Sequence, residues 1–146
     1  QKNNLIPIYS ANVFEPFGYT DKKFIDDFNS PSILWGIDGD WQVNYIEENI
    51  EFYPTDHCGV IRVKSKDINL KYLSFILREN GKNKFSRTYR ASTKRIQALS
   101  LDLPDLDIQN KVIEEINVFE KKILDLNNKI KEQSEIKRNI LNKYLK

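Results

Sequence analysis

Between Gly81 and Arg95 six of fifteen residues are cationic (Lys82, Lys84, Arg87, Arg90, Lys94 and Arg95) and none is acidic. Phe85 and Tyr89 interleave with them, and Ser86, Thr88, Ser92 and Thr93 add small hydroxyls. Lysine and arginine neutralise phosphates and release their counterions. Hydroxyls and backbone N–H groups hold a register along a phosphate backbone, and an arginine that enters a groove can fork onto guanine O6 and N7. The candidate DNA contacts are therefore Lys82, Lys84, Arg87, Tyr89, Arg90, Ser92, Thr93, Lys94 and Arg95. A merely solvated basic loop would have the same composition, so the charge distribution matters. Residues 1–57 hold three Lys/Arg against ten Asp/Glu, and residues 58–146 hold twenty against eleven. The net charge of +2 hides an acidic half and a basic half, and a polyanion-binding face on the second half explains that division.

Other chemistry is thin. In Gly36-Ile37-Asp38-Gly39-Asp40-Trp41 two aspartates could hold a cation or accept from a cytosine amino group. A calcium loop needs more oxygen ligands and a closing Glu, so a tight turn with solvated acids is the simpler reading. The one histidine and one cysteine, His57 and Cys58, are adjacent, and neighbours on a strand point to opposite faces. They form neither a nucleophile pair nor a zinc site, which usually needs four ligands. No internal disulfide is possible, and a reducing, cytoplasmic setting is expected. Phosphate-binding, dinucleotide, nucleophile-elbow and zinc-protease motifs are absent, as are N-P-P-Y and D-P-P-Y. Pro104-Asp105 with Glu120-Lys121-Lys122 imitates a nuclease P-D…E-x-K pattern, but the second half falls within a helical stretch. No catalytic residue, metal or cofactor is expected.

The elements that must position these groups follow from the pattern. Leu5–Tyr9, Ser32–Trp35, Trp41–Ile46, Ile50–Tyr53 and Gly59–Val63 read as short strands separated by Gly, Pro and Asp turns. Pro7 marks the first as an edge strand or a strand start. Trp41, Val43 and Tyr45 share one face. Apolar residues 70, 73, 76 and 77 make a helical face over Asn69–Leu77, ending at Asn80-Gly81 as a C-cap. Residues 93–99 read as a short helix or strand. From Asp107 to Lys146 there is neither Gly nor Pro, which predicts one helix of about 60 Å at ~1.5 Å per residue. Val112, Ile116, Phe119, Ile123, Leu126 and Ile130 alternate +4 and +3, a coiled-coil seam. The phase shifts before Ile136, Ile140, Leu141, Tyr144 and Leu145. A body of about 105 residues cannot cover such a stripe throughout, so a second helix is expected to. The fold expected is α+β: a compact β-rich domain with short helices over 1–104, then one long coiled-coil-forming helix over 105–146. No apolar run approaches the ~18 residues of a membrane span.

The ordered features resemble the target-recognition half of type I restriction-modification specificity subunits, and the similar C-terminal recognition region of fused restriction-methyltransferases. Ile6-Pro7-Ile8-Tyr9-Ser10-Ala11 is similar to the family's opening I-P-V-Y-x-A strand, with Gly18-Tyr19 following. Ile33–Asp40 stands where the family has an apolar strand and a G-x-x-G turn, and Phe52–Val60 resembles its F-x-x-T-D-H segment. Tyr72–Leu77 matches its Y-L-x-x-x-L helix. Most specific is Leu101–Ile113, similar to I-x-L-P-x-L-x-x-Q-x-x-I, although Ile108 stands where a Glu is usual. The segments Trp35–Trp41 and Pro54–Val60 incline toward the fused type. The family's segment before the I-P strand is missing, and the start Gln1-Lys2-Asn3-Asn4 looks like a cut in a longer polypeptide.

The resemblance implies sequence-specific recognition of one half of a double-stranded DNA target, in the cytoplasm. The long helix would pair with another, from a second copy or the same polypeptide, and set half-site spacing. Catalysis would lie with methyltransferase and restriction subunits or domains. The alternatives are a coiled-coil scaffold without DNA specificity, separable by sequence-dependent DNA binding, and a cryptic nuclease or methyltransferase fragment, separable by S-adenosylmethionine binding.

Overall fold

A computed structural model describes residues 4–145. Lys146, the predicted end of the long helix, and the first three residues of the predicted 1–104 domain lie outside the described residues. The chain divides into two units, residues 1–109 and 110–146.

The first unit is built around Ser32-Ile33-Leu34-Trp35-Gly36, a run with hardly a polar position. Such a run suits a strand covered on both faces, and every residue of β3 (Ser32–Gly36) is buried. It is the middle strand of a sheet, flanked by β4 (Val43–Ile46) and β6 (Cys58–Ile61), both antiparallel to it. Alternation sends its side chains to two cores. Ile33 and Trp35 join Val43, Leu70, Leu77 and Phe85 on one side, with Trp41 and Tyr45 packed against them. Leu34 joins Val13, Phe28, Ile46, Phe52 and Cys58 on the other. Fully burying Ile33, Leu34 and Val43 stabilises by about 1.5–3 kcal/mol each. The shared face of Trp41, Val43 and Tyr45 is as expected, but Trp41 precedes the strand. The turn closes before it, with Gly36 N–H donating to Gln42 O.

The second sheet has the order β2 (Gly18–Thr20), β1 (Ile6–Tyr9), β5 (Tyr53–Pro54). Strand β1 is therefore central and not an edge. It tolerates Pro7 because pairing with β5 begins only at Ile8, so the missing N–H is not needed there. Strand β2 was not expected: it has three residues, and its Tyr19 is exposed, so no alternation betrays it. The Ile50–Tyr53 segment pairs only at Tyr53–Pro54, and Ile50 is half exposed.

Helix α1 (Leu70–Gly81) begins at Asn69, whose side chain accepts from Tyr72 N–H, a standard capping arrangement. Its buried line is Leu70, Ser74, Leu77 and Gly81, so Ser74 replaces the expected Ile76. Gly81 is not the C-cap; that position is Lys82, in a right-handed conformation. A Cβ on Gly81 would lie 2.2 Å from the Trp41 ring, so this glycine is needed for close approach. Residues 93–99 resolve as helix α2 (Thr93–Gln97), N-capped by Ser92.

Helix α3 (Leu106–Tyr144) is continuous over 39 residues, and the first unit ends within its first turn. There Gln109 is only 1% exposed. Its Oε1 accepts from Asn69 N–H at 2.9 Å, and its Nε2 donates to Pro104 O at 2.7 Å and Asp67 O at 3.2 Å. In the second unit every side chain from Asn117 to Leu145 is exposed. Of the predicted seam, Phe119, Ile123, Leu126 and Ile130 are between 45% and 64% exposed, Val112 is 36% exposed and Ile116 is half-buried. The phase-shifted Ile136, Ile140, Leu141, Tyr144 and Leu145 are exposed too. The architecture is α+β, and no helix among the described residues is long and apolar enough to cross a membrane.

Candidate nucleic-acid interface

The basic segment leaves α1 at Gly81 and is pinned at two apolar points. Phe85, 6% exposed, packs on Trp41 with ring centroids 4.9 Å apart. Ala91, 2% exposed, donates its N–H to Ile37 O at 3.1 Å, and its carbonyl accepts from Trp35 Nε1 at 2.8 Å. Trp41 is itself fixed, its indole N–H donating to Arg78 O at 3.0 Å. The two tryptophans that flank the acidic turn thus anchor the basic loop. Residues 86–90 between the pins are exposed. They form an ordered turn: Ser86 N–H donates to Tyr89 O at 3.0 Å, and Tyr89 N–H to Ser86 Oγ at 3.1 Å. Arg87 and Thr88 are its tip.

The nine predicted contacts fall into distinct environments. Arg87 Nε donates to Asp40 Oδ1 at 2.7 Å and Arg87 Nη2 to Oδ2 at 3.0 Å. These hydrogen bonds, with the adjacent guanidinium charge, hold the Asp40 carboxyl below the usual carboxylate range and tighten the proton on Arg87. Lys82 Nζ pairs with Glu79 at 2.6 Å. Arg95 braces the loop: its guanidinium carbon lies 3.7 Å from the centroid of the Tyr89 ring, and Nη1 donates to Arg90 O at 2.8 Å. Tyr89 in turn stacks on Phe85, 11° from parallel at 6.3 Å. Ser92 Oγ accepts from Arg95 N–H as the cap of α2. Thr93 is exposed at the start of α2. Lys84, Arg90 and Lys94 are exposed and make no ion pair among the described residues. Asp40, Trp41, Lys82, Arg87 and Thr88 border an open depression of about 500 Å³ over Phe85.

Sequence reasoning missed the partners. The acids of the Asp38–Asp40 turn are not free in solvent. Asp40 holds Arg87, and Asp38 Oδ2 lies 2.6 Å from His57 Nδ1. The only signal was charge, an acidic turn and a basic loop 47 residues apart from Asp40 to Arg87. Phe85 is an anchor and not a surface for stacking bases. Glu120, Lys121 and Lys122 are helical residues of α3 and belong to no strand.

Residues 1–137 match the family described as the type I restriction modification DNA specificity domain. The chain belongs to that family. Among its relatives in Mycoplasma pneumoniae (strain ATCC 29342 / M129 / Subtype 1), the type I restriction enzyme MpnII specificity subunit is 33% identical over 94% of this chain and 42% of its own length. Two more that carry the name type I specificity subunit, S.MpnORF615P and S.MpnORF285P, are 33% and 30% identical over 94% of this chain. They are covered over 56% and 46% of their lengths, so the chain spans about half of the relatives it matches. No solved structure matches it significantly. The family resemblance therefore holds, and the relatives it meets are named as specificity subunits and not as the fused type toward which Trp35–Trp41 and Pro54–Val60 inclined. Its most specific part gains a physical reason, since Gln109 ties the Pro104 segment, the cap of α1 and the first turn of α3 together.

Proposed function

We propose that this chain reads one part of a double-stranded DNA target for a type I restriction-modification system, in the cytoplasm, with the loop from Lys82 to Arg95 against the duplex. The observation that carries the reading is a cationic loop, exposed yet rigidly pinned by Phe85 and Ala91, in a member of a DNA specificity family. Lys84, Arg90 and Lys94, without acidic partners among the described residues, serve phosphates. Arg87 serves a base, and Tyr89, Ser92, Thr93 and Arg95 hold or flank the contact surface. The body over 1–104 is the recognition domain. The helix over 105–146 pairs through Val112, Ile116, Phe119, Ile123, Leu126 and Ile130 with another helix, its own copy or one from the same polypeptide, and sets half-site spacing. Methyltransferase and restriction subunits supply the chemistry.

Selection from a randomised duplex pool at two salt concentrations tests this, with Arg87→Ala/Arg90→Ala alongside. Enrichment of a short sequence that the double variant loses or relaxes is the expected result. Salt-sensitive binding without enrichment leaves only a polyanion site. A folded chain that self-associates but binds no DNA at low salt is a scaffold.

A further inference from the structure

Arg87 differs from the other cations of the loop in being held by a carboxylate in a two-bond fork. Of the five N–H donors of a guanidinium, Asp40 takes one on Nε and one on Nη2. Of the remaining three, one on Nη1 and one on Nη2 lie side by side along the distal edge. A parallel pair of donors on that edge is the geometry that matches guanine O6 and N7. Both side chains are open to solvent, Arg87 at 74% and Asp40 at 68% exposure, so the distal edge is accessible. Both residues are carried by backbone turns. Asp40 follows Gly39, whose φ of +82° sets the turn, and precedes the anchored Trp41, while Arg87 sits in the closed Ser86–Tyr89 turn.

From this geometry we infer that Asp40 is a positioning residue for base recognition, holding Arg87 end-on toward a guanine in the major groove. The inference rests on the DNA-reading function proposed above. Electrostatics favour a base over a phosphate. The Arg87–Asp40 pair has no net charge, and the carboxylate lies within hydrogen-bond distance of the guanidinium. A phosphate would meet that anion, whereas the acceptors of a neutral guanine edge would not. Holding the side chain in advance also lowers the ordering cost of binding.

The test uses the full chain and the duplex it selects, with Asp40→Asn, Arg87→Lys and Arg87→Ala. Circular dichroism and melting verify folding, which these exposed positions leave intact. One G·C pair in the site is expected to cost roughly 5- to 150-fold in affinity when changed to A·T. 7-Deazaguanine at that position costs part of this loss in the wild type and nothing further in Arg87→Ala. Asp40→Asn and Arg87→Lys relax the preference for that guanine, while the dependence of log K on log salt stays as in the wild type. Tighter binding by Asp40→Asn with the guanine preference intact would overturn the inference and make Asp40 a shield. A selected site with no guanine that responds to Arg87 overturns it as well. Failure of the wild type to select any sequence strikes the DNA-reading function itself.

Discussion

Gln109 makes three hydrogen bonds from a fully buried side chain, and it couples Asn69, Asp67 and Pro104 through them. A buried polar group left without its partner costs about 1–3 kcal/mol. Gln109→Ala removes all three bonds at a buried position, so we expect a loss of about 2–3 kcal/mol in urea unfolding, with the slope unchanged. Cys58, 6% exposed, is the opposite case, a group with nothing to gain from charge. Burial pushes its thiol up to about 12. The folded chain therefore keeps a proton that the unfolded chain releases above about 9, the ordinary thiol range. This group withdraws stability as pH rises from that value toward 12. At pH 8 alkylation by iodoacetamide should be slow in buffer and rise with the unfolded fraction in urea. Fast labelling of the native chain would contradict the burial. Little of this residue-scale detail was legible in advance. Composition marked Arg87 and Asp40 as charged, but only packing between Trp41 and Phe85 brings them together.

Elements were legible where the pattern was long or strongly apolar. The run Ser32–Trp35 and the Gly- and Pro-free stretch after Asp107 led directly to β3 and α3. Strand β2 escaped because its pairing is backbone-made and its side chains carry no alternation, and the strand expected over Ile50–Tyr53 is paired only at Tyr53–Pro54. Gly81 was misread because glycine after a helical stripe usually caps it, whereas here it admits an indole ring. Gly81→Ala should therefore cost about 1–3 kcal/mol by overpacking, and not the gain in helix propensity expected of an exposed position. Thermal melting distinguishes the two signs. For α3, the exposed stripe predicts association through the seam. Leu126→Lys/Ile130→Lys should weaken any concentration-dependent association by at least about ten-fold, given about 1.5–3 kcal/mol for each apolar side chain buried. Sedimentation would read it, and an unchanged mass distribution would place the contact elsewhere.

At the scale of the molecule, the acidic and basic halves of the sequence do not remain apart. Asp40 neutralises Arg87 in the basic loop, and among the described residues Lys84, Arg90 and Lys94 are exposed and make no ion pair. Each phosphate contact contributes about −0.9 to the slope of log K against log salt. Replacing all three by Ala should flatten that slope by about 2–3 and weaken binding to all duplexes alike. The reading of the loop as the DNA-facing surface can be met most directly by acetylating lysines in the free chain and in its complex with the selected duplex, and locating the modified sites by mass spectrometry. DNA is expected to protect Lys84 and Lys94 while Lys22, in the acidic half, reacts as before. Protection at Lys22, or none at Lys84 and Lys94 in a saturated complex, would contradict it.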